Sequence, residues 1–383
     1  MKNTLFPIAV LAVAIGSAGC TNKEIEQPEQ AQVTDNNVAP TADAGPDRSV
    51  SEGASVTLSG SGSDMDGSIA SYNWSQVSGP SVTLTAGDAG TVTFTAPAVE
   101  ASTQLVFELR VNDDGGAASP ADAVTVTVLP VYDKFFGTAI EHPDDYNQLT
   151  TYFDQITPGN AAKWGSVEAE RDMPLWTDLD TAHTFANDNS LRFKYHTLFW
   201  GQQQPGWLEN LSVEEQRSEI EEWLATVAER YPDLDMIDVV NEPLHAPPAY
   251  KEALGGDGET GWDWLITAFE LARSHFPESK LILNDYNILN LAEATEDYLA
   301  LVELLQSREL IDGIGVQAHF LEQSLGADVK GNLDTLANTG LPIYVSELDI
   351  NFADDARHAN KLRELVTVFW EHPAVAGVTH WGY

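Results

Sequence analysis

Between Phe135 and Tyr383 eight short apolar runs recur: "FFGTAI", "QITPGN", "LRFKYHTLFW", "MIDVVNE", "KLILNDY", "IDGIGVQAHF", "PIYVSELDI" and "VAGVTHWGY". Longer amphipathic stretches such as "SVEEQRSEIEEWLATVAERY" and "ATEDYLALVELLQSREL" lie between most of them. The short runs read as strands and the longer stretches as helices. Parallel strands need a crossover between them, so the alternation predicts a parallel sheet. Eight repeats predict that the sheet closes as a (β/α)8 barrel, an α/β fold whose site lies at the C-terminal ends of its strands.

Those ends carry polar and aromatic residues. The second run ends at Asn160, with Lys163 and Trp164 just after; the third passes His196 and ends at Trp200. The fourth ends Asn241-Glu242 and the fifth Asn284-Asp285-Tyr286. The sixth carries Gln317 and His319, the seventh Glu347 and Asp349, and the eighth Trp381. Any one of these has a dull explanation, as a cap or a satisfied core group. Together, in register, they are groups that bond hydroxyls and stack on sugar rings, and they point to a carbohydrate site.

Glu242 and Glu347 form the central pair. A carboxylate following the buried Val239-Val240 loses water and needs a reason to be there. Two carboxyls flanking one bond are what glycoside hydrolysis requires, one protonated and one ionised. A metal centre is the competing use, with His319 and Asp349 as further ligands, but it would want more of them. Alternation places Gln317 and His319 on one strand face, and Glu347 and Asp349 on another. A chain Glu347–His319–Asp349 then forms. A donor on Glu347 favours its ionised form and makes it the nucleophile. Glu242 is left as the acid/base, and Asn241 as an amide for the sugar 2-hydroxyl.

The rest of the chain is of a different kind. Residues 1–20, "MKNTLFPIAVLAVAIGSAGC", have the pattern of a secretory signal peptide and resemble a bacterial lipoprotein signal whose Cys20 becomes lipidated. Ser17 stands where such signals usually carry Leu. Cys20 is the one cysteine, so no intramolecular disulfide is possible. An exported protein, anchored at the outer membrane or cell surface through lipid alone, is expected. Residues 21–40 read as a polar tether.

From 41 to 129 short alternating runs rich in Val and Thr predict a small all-β sandwich, with Trp74 as its core plug. The string "AGPDRSVSEGASVTLSGSGSDMDGSIASYNWSQVSGP", with "VNDDGG", resembles a PKD-type immunoglobulin-like domain. Asp64, Asp66 and Gly67 hint at a calcium loop. The twelfth position from Asp64 is Ser75, however, not the Glu of an EF-hand, so the reading is a solvated turn.

Charge narrows the partners. With 19 Lys+Arg against 59 Asp+Glu the formal net charge is −40. Such a surface repels nucleic acid and anionic lipid, and suits a neutral substrate and a salty medium. A monomer without cofactor or metal is expected.

The motifs "NAAKW", "HTLFWGQQQP", "DVVNEP", "LNDYN", "GVQAHF" and "VSELDI" resemble those of glycoside hydrolase family 10, the endo-β-1,4-xylanases, over residues 133–383. The resemblance implies retaining endo-hydrolysis of xylan or xylo-oligosaccharides, with Glu242 as acid/base and Glu347 as nucleophile. It also implies that Lys163, His196, Trp200, Gln203, Asn241, Gln317, His319 and Trp381 line the sugar subsites, with Asn160 and Tyr286 in contact too. Another β-1,4-glycan, or a non-catalytic glycan-binding role, remains as an alternative.

Three departures stand out. Gly159 occupies a place where the family usually has a sugar-binding Glu, Gly201-Gln202 follow Trp200 in place of His-Ser, and no eighth helix follows "THWGY". The first is expected to weaken a distal subsite unless another side chain, such as Glu168 or Gln202, fills the gap. The third is expected to leave the barrel without its last helix and with an apolar patch exposed.

Overall fold

The computed structural model describes residues 37–88, 90–99, 102–141 and 148–382. The signal pattern, Cys20 and most of the tether lie outside the described residues.

Residues 41–129 form a sandwich. One sheet runs β2 (Arg48–Ser51), β9 (Asp122–Leu129), β8 (Thr103–Asp113), β5 (Ile69–Ser78); the other runs β3 (Ser55–Ser59), β7 (Thr91–Thr95), β6 (Thr85–Ala86). A small ladder pairs β1 (Thr41–Asp43) with β4 (Ser61–Ser63). Strict alternation in β8 and β9 sends Leu105, Phe107, Leu109, Val124, Val126 and Val128 into the core. Trp74 is not the plug: it is half-buried at the edge, its Nε1 donating to Gly90 O at 2.8 Å. The turn at Asp64 differs from a plain solvated one. Both Asp64 carboxylate oxygens are shielded from solvent without a hydrogen-bond partner among the described residues, while Asp66 accepts from Val38 N at 3.0 Å.

The second unit is a closed barrel of eight parallel strands: β10 (Phe135–Ile140), β11 (Gln155–Pro158), β12 (Arg192–Phe199), β13 (Met236–Asn241), β14 (Lys280–Asp285), β15 (Gly313–Val316), β16 (Ile343–Leu348) and β17 (Val375–His380). β17 pairs with β10, Phe135 opposite Gly377, so the sheet has no free edge. Seven connections carry helices, from the single turn α1 (Leu149–Tyr152) through α2 (Trp164–Val167), α3 (Thr177–Asp188), α4 (Val213–Arg230), α5 (Asp263–His275), α6 (Ala292–Gln306) and α7 (Gly326–Ala337) to α8 (Asp355–Glu371). Their apolar faces pack on the outward side of the strands and make one continuous core.

Inside the barrel the residues change with height. Phe135, Met236, Ile282, Tyr344 and Ala376 plug the N-terminal end. Above them Lys194, His196, Asp238, Asn284 and Ser346 form a buried polar set. Buried polar groups are kept when they are mutually satisfied, and these are linked to one another across strands. They form the floor under the C-terminal mouth.

Candidate functional site

The strand ends predicted from sequence converge at that mouth. Glu242 directly follows β13 and lies in the left-handed region, at φ 55°. Such a backbone costs on the order of 1–3 kcal/mol and is found where a site requires it. In a continuing strand Asn241 and Glu242 would face opposite sides. The left-handed residue breaks the alternation, and both side chains meet the same group: Gln317 Nε2 donates to Asn241 Oδ1 and to Glu242 Oε1, each at 3.1 Å. The turn is held by Glu242 N donating to Asn284 O at 2.7 Å and by Ala246 N donating to Glu242 O at 2.7 Å.

Amides join the two carboxylates. Asn284 Nδ2 donates to Asn241 Oδ1 at 2.9 Å and to Glu347 Oε1 at 2.7 Å, and Ser346 Oγ donates to Asn284 Oδ1 at 2.6 Å. That hydroxyl fixes which end of the Asn284 amide faces Glu347. Asn241 Oδ1 is in turn occupied by two donors, which leaves the Asn241 NH2 for a partner in the mouth; among the described residues it reaches only Glu242 Oε1, at 3.4 Å. The other Glu242 oxygen, Oε2, accepts from Trp200 Nε1 at 2.9 Å and Gln202 Nε2 at 3.3 Å.

Glu347 sits on β16 and is 4% exposed. His319 stands between two carboxylates, Nε2 3.4 Å from Glu347 Oε2 and Nδ1 2.9 Å from Asp349 Oδ1. Burial lowers the His319 basicity, but hydrogen bonds to Asp349 and Glu347 and their charges outweigh it and lift the imidazole to about 10. Burial raises the Glu347 carboxyl; the charge of His196, the bond from His319, and the charges of His319 and Lys194 outweigh it and hold the group at about 2. His319 gives one ring nitrogen to each carboxylate, so these three residues do not converge on one point, and the competing reading of a metal centre loses its geometry.

One charge in that balance, Lys194, was not singled out from sequence, nor was Asp238, the carboxylate that pairs with it and with His196. Lys194 Nζ and His196 Nδ1 each donate to Asp238 Oδ2 at 2.8 Å, all three buried. Asp238 lies opposite His196 in the β12–β13 register, and Lys194 precedes His196 by two, on the same strand face. That spacing was the available signal. Asp285, also unassigned from sequence, accepts from Leu244 N at 3.0 Å and His245 Nδ1 at 2.6 Å; burial raises it to about 6. His245 stacks on Tyr286, centroids 3.8 Å apart, and Tyr286 meets the exposed Phe320 edge-on at 6.1 Å.

On the other side of the mouth Lys163 Nζ donates to Gln203 Oε1 at 2.7 Å and Asn160 Oδ1 at 3.3 Å, and lies 4.6 Å from the Trp200 ring centroid. Burial lowers the Lys163 basicity, while Glu347, Glu141 and Glu242 raise it. The next residue, Trp164, stacks between helices on Trp223 at 5.3 Å, and this anchors the loop. Trp381 meets the His196 ring edge-on at 5.5 Å. All ten predicted sugar-contact residues therefore fall within one linked network or on its rim. Of the groups named to fill the gap at Gly159, neither does. Glu168 accepts from Trp164 Nε1 and Asp172 N, and Gln202 is on Glu242.

Among the described residues the one carboxylate group with ligand atoms within 4.8 Å of each other is Asp172, Glu219 and Glu222, between the loop before α3 and α4. Arg171 already pairs with Glu219 there. No helix of the described residues is long and apolar enough to cross a membrane.

Comparison with known proteins places these features. The profile of glycosyl hydrolase family 10 matches residues 128–383, and that of a PKD domain matches residues 44–128. Endo-1,4-beta-xylanase B of Cellvibrio japonicus is 41% identical over 253 residues, covering 65% of this chain and 41% of that protein. An endo-1,4-beta-xylanase of Agaricus bisporus is 32% identical, covering 57% of this chain and 68% of its own. The chain thus spans about two fifths of the length of the first relative and two thirds of the second. The solved family 10 structure from Paenibacillus barcinonensis aligns with TM-score 0.60 at 26% identity, over 66% of this chain and 84% of that one.

Proposed function

The chain belongs to glycosyl hydrolase family 10, and from that premise we propose that its barrel hydrolyses internal β-1,4 linkages of xylan with retention of configuration. The observation that carries the proposal is the unequal pair. Glu347 is held ionised by cations beneath and beside it, and Glu242 stands across the amide bridge with its Oε2 toward Trp200 and Gln202. Glu347 attacks the anomeric carbon. Glu242 protonates the leaving oxygen, and a glycosyl-enzyme ester forms at Glu347. Glu242, now ionised, takes a proton from water as that water displaces the sugar. The outward NH2 of Asn241 binds the 2-hydroxyl, a contact that strengthens as the ring flattens. The same pair would serve another β-1,4-glycan, so the polymer is assigned from the family resemblance and the xylanase relatives.

The test is reducing-sugar release from xylan, cellulose and mixed-linkage glucan, with Glu242→Ala and Glu347→Ala alongside. Glu347→Ala should abolish release. Glu242→Ala should abolish it on xylan and spare aryl glycosides whose leaving group needs no proton. Equal or greater activity on cellulose would move the assignment to another glycan, and no activity on any would leave a glycan-binding protein. We also propose, on the N-terminal pattern alone, that Cys20 carries lipid. Cys20→Ser should move the protein from the membrane fraction to the soluble one; a soluble wild type would refute this.

A further inference from the structure

Gly159 and Glu141 occupy one space. A Cβ on Gly159 would lie 2.1 Å from Glu141 Oε1 and 3.0 Å from Glu141 Cδ, far inside van der Waals contact. The glycine is therefore what lets the Glu141 carboxylate lie over the end of β11. There Glu141 Oε2 accepts from Asn160 Nδ2 at 2.7 Å, while Oε1 makes no hydrogen bond among the described residues. Asn160 Oδ1 in turn accepts from Lys163 Nζ and Gln203 Nε2, so the carboxylate is the outer member of the polar row leading from the mouth. Lys163 reaches Asn160 Oδ1 at 3.3 Å, and Asn160 in turn reaches Glu141; the Lys163 ammonium feels the charges of Glu347, Glu141 and Glu242 together.

No Arg or Lys forms a direct ion pair with Glu141 among the described residues, and the residue is exposed. A carboxylate held by one amide, with an oxygen left over beside a Lys and two amides, is built to accept hydroxyl protons. From this juxtaposition we propose that Glu141 binds hydroxyls of the second sugar ring from the cleaved bond. Gly159 is its structural partner and not an empty subsite. The assignment rests on the xylan reading above. It also corrects the expectation that Gly159 weakens the distal subsite: the acceptor comes from the end of β10 instead of from β11.

The test compares aryl β-xyloside, which places one ring on the glycone side, with aryl β-xylobioside, which places two. Glu141→Gln should lower kcat/KM for the xylobioside by about ten- to a hundredfold, the worth of one charge-assisted hydrogen bond, and leave the xyloside unchanged. Gly159→Ala should do the same by displacing the carboxylate. In a Glu141→Ala background Gly159→Ala should add nothing, because its target is gone. The melting temperature of Glu141→Gln should stay at the wild-type value, since Glu141 is exposed and its bond to Asn160 is at the surface. A Glu141→Gln variant equal to wild type on the xylobioside, or additive losses in the double variant, would overturn the assignment while leaving the xylan reading intact. A wild type inactive on xylan and on both glycosides would overturn the xylan reading and this assignment with it.

Discussion

At Glu347 burial and charge pull in opposite directions, and charge wins. Its carboxyl at about 2 against an ordinary 4.5 contributes stability that is present above pH 4.5 and lost as pH falls through 2. His319, at about 10 against an ordinary 6.5, contributes stability that is present below 6.5 and lost as pH rises through 10. Both contributions are complete only between 4.5 and 6.5. His319→Asn removes the positive charge and the ring that spans Glu347 and Asp349. On an aryl glycoside whose departure needs no proton, the acid limb reports Glu347 alone. Wild-type kcat/KM should be flat from about pH 7 to about pH 4, and the variant should fall toward the acid end of that span as its carboxyl rises from its depressed value. A flat variant profile would mean that His196 and Lys194 suffice without His319. The Glu347–His319–Asp349 chain was legible in the sequence as a set of partners, but alternation does not place it: His319 and Asp349 lie past the ends of β15 and β16, and Ala318 before His319 is left-handed at φ 62°. The Asn241–Glu242 pair was legible as chemistry but not as geometry, since the left-handed turn at Glu242 is a backbone event with no glycine to announce it.

Among the elements, the strands were the most legible, because a fully buried parallel strand is a short apolar run whatever surrounds it. All eight barrel strands fall inside the runs marked from sequence, and the observed ends are shorter by up to four residues, as in β15. What the elements hide is contact between strands far apart in the chain. Lys194 and Asp238 meet across 44 positions, and Glu141 reaches Asn160 across 19. Helix ends follow local rules and can be tested locally. Ser212 caps α4 with a reciprocal box: Glu215 N donates to Ser212 Oγ at 3.3 Å and Ser212 N donates to Glu215 Oε2 at 2.9 Å. α4 then buries Ile220, Trp223, Leu224 and Val227 against the barrel, and Trp223 carries Trp164 behind Lys163. Ser212→Ala should cost about 1 kcal/mol, or about 2–4 °C in the melting temperature of a unit this large. Activity at 25 °C should not change, because the cap's side-chain bonds close on Glu215 and on none of the groups described at the mouth. A calorimetric scan with an unshifted barrel transition would show that the cap is redundant.

For the whole molecule, the barrel puts one cationic cluster under the mouth of a chain whose formal net charge is −40. His196, His319 and Lys194 act on Glu347 from inside, where screening by salt is weak, while the acidic exterior faces solvent. That division lets a strongly acidic protein keep one buried carboxylate ionised. Among the described residues the sandwich contributes no side chain to the hydrogen bonds given for the mouth, and its surface offers Ser, Thr, Gly and Asp. The claim that ties the levels together is that Glu347 attacks carbon directly and Glu242 serves first as acid and then as base. Anomeric NMR during the first minutes of xylo-oligosaccharide hydrolysis tests it. The account predicts that the β-anomer of the new reducing end appears first and the α-anomer only by later mutarotation; an α-anomer signal that leads would contradict it.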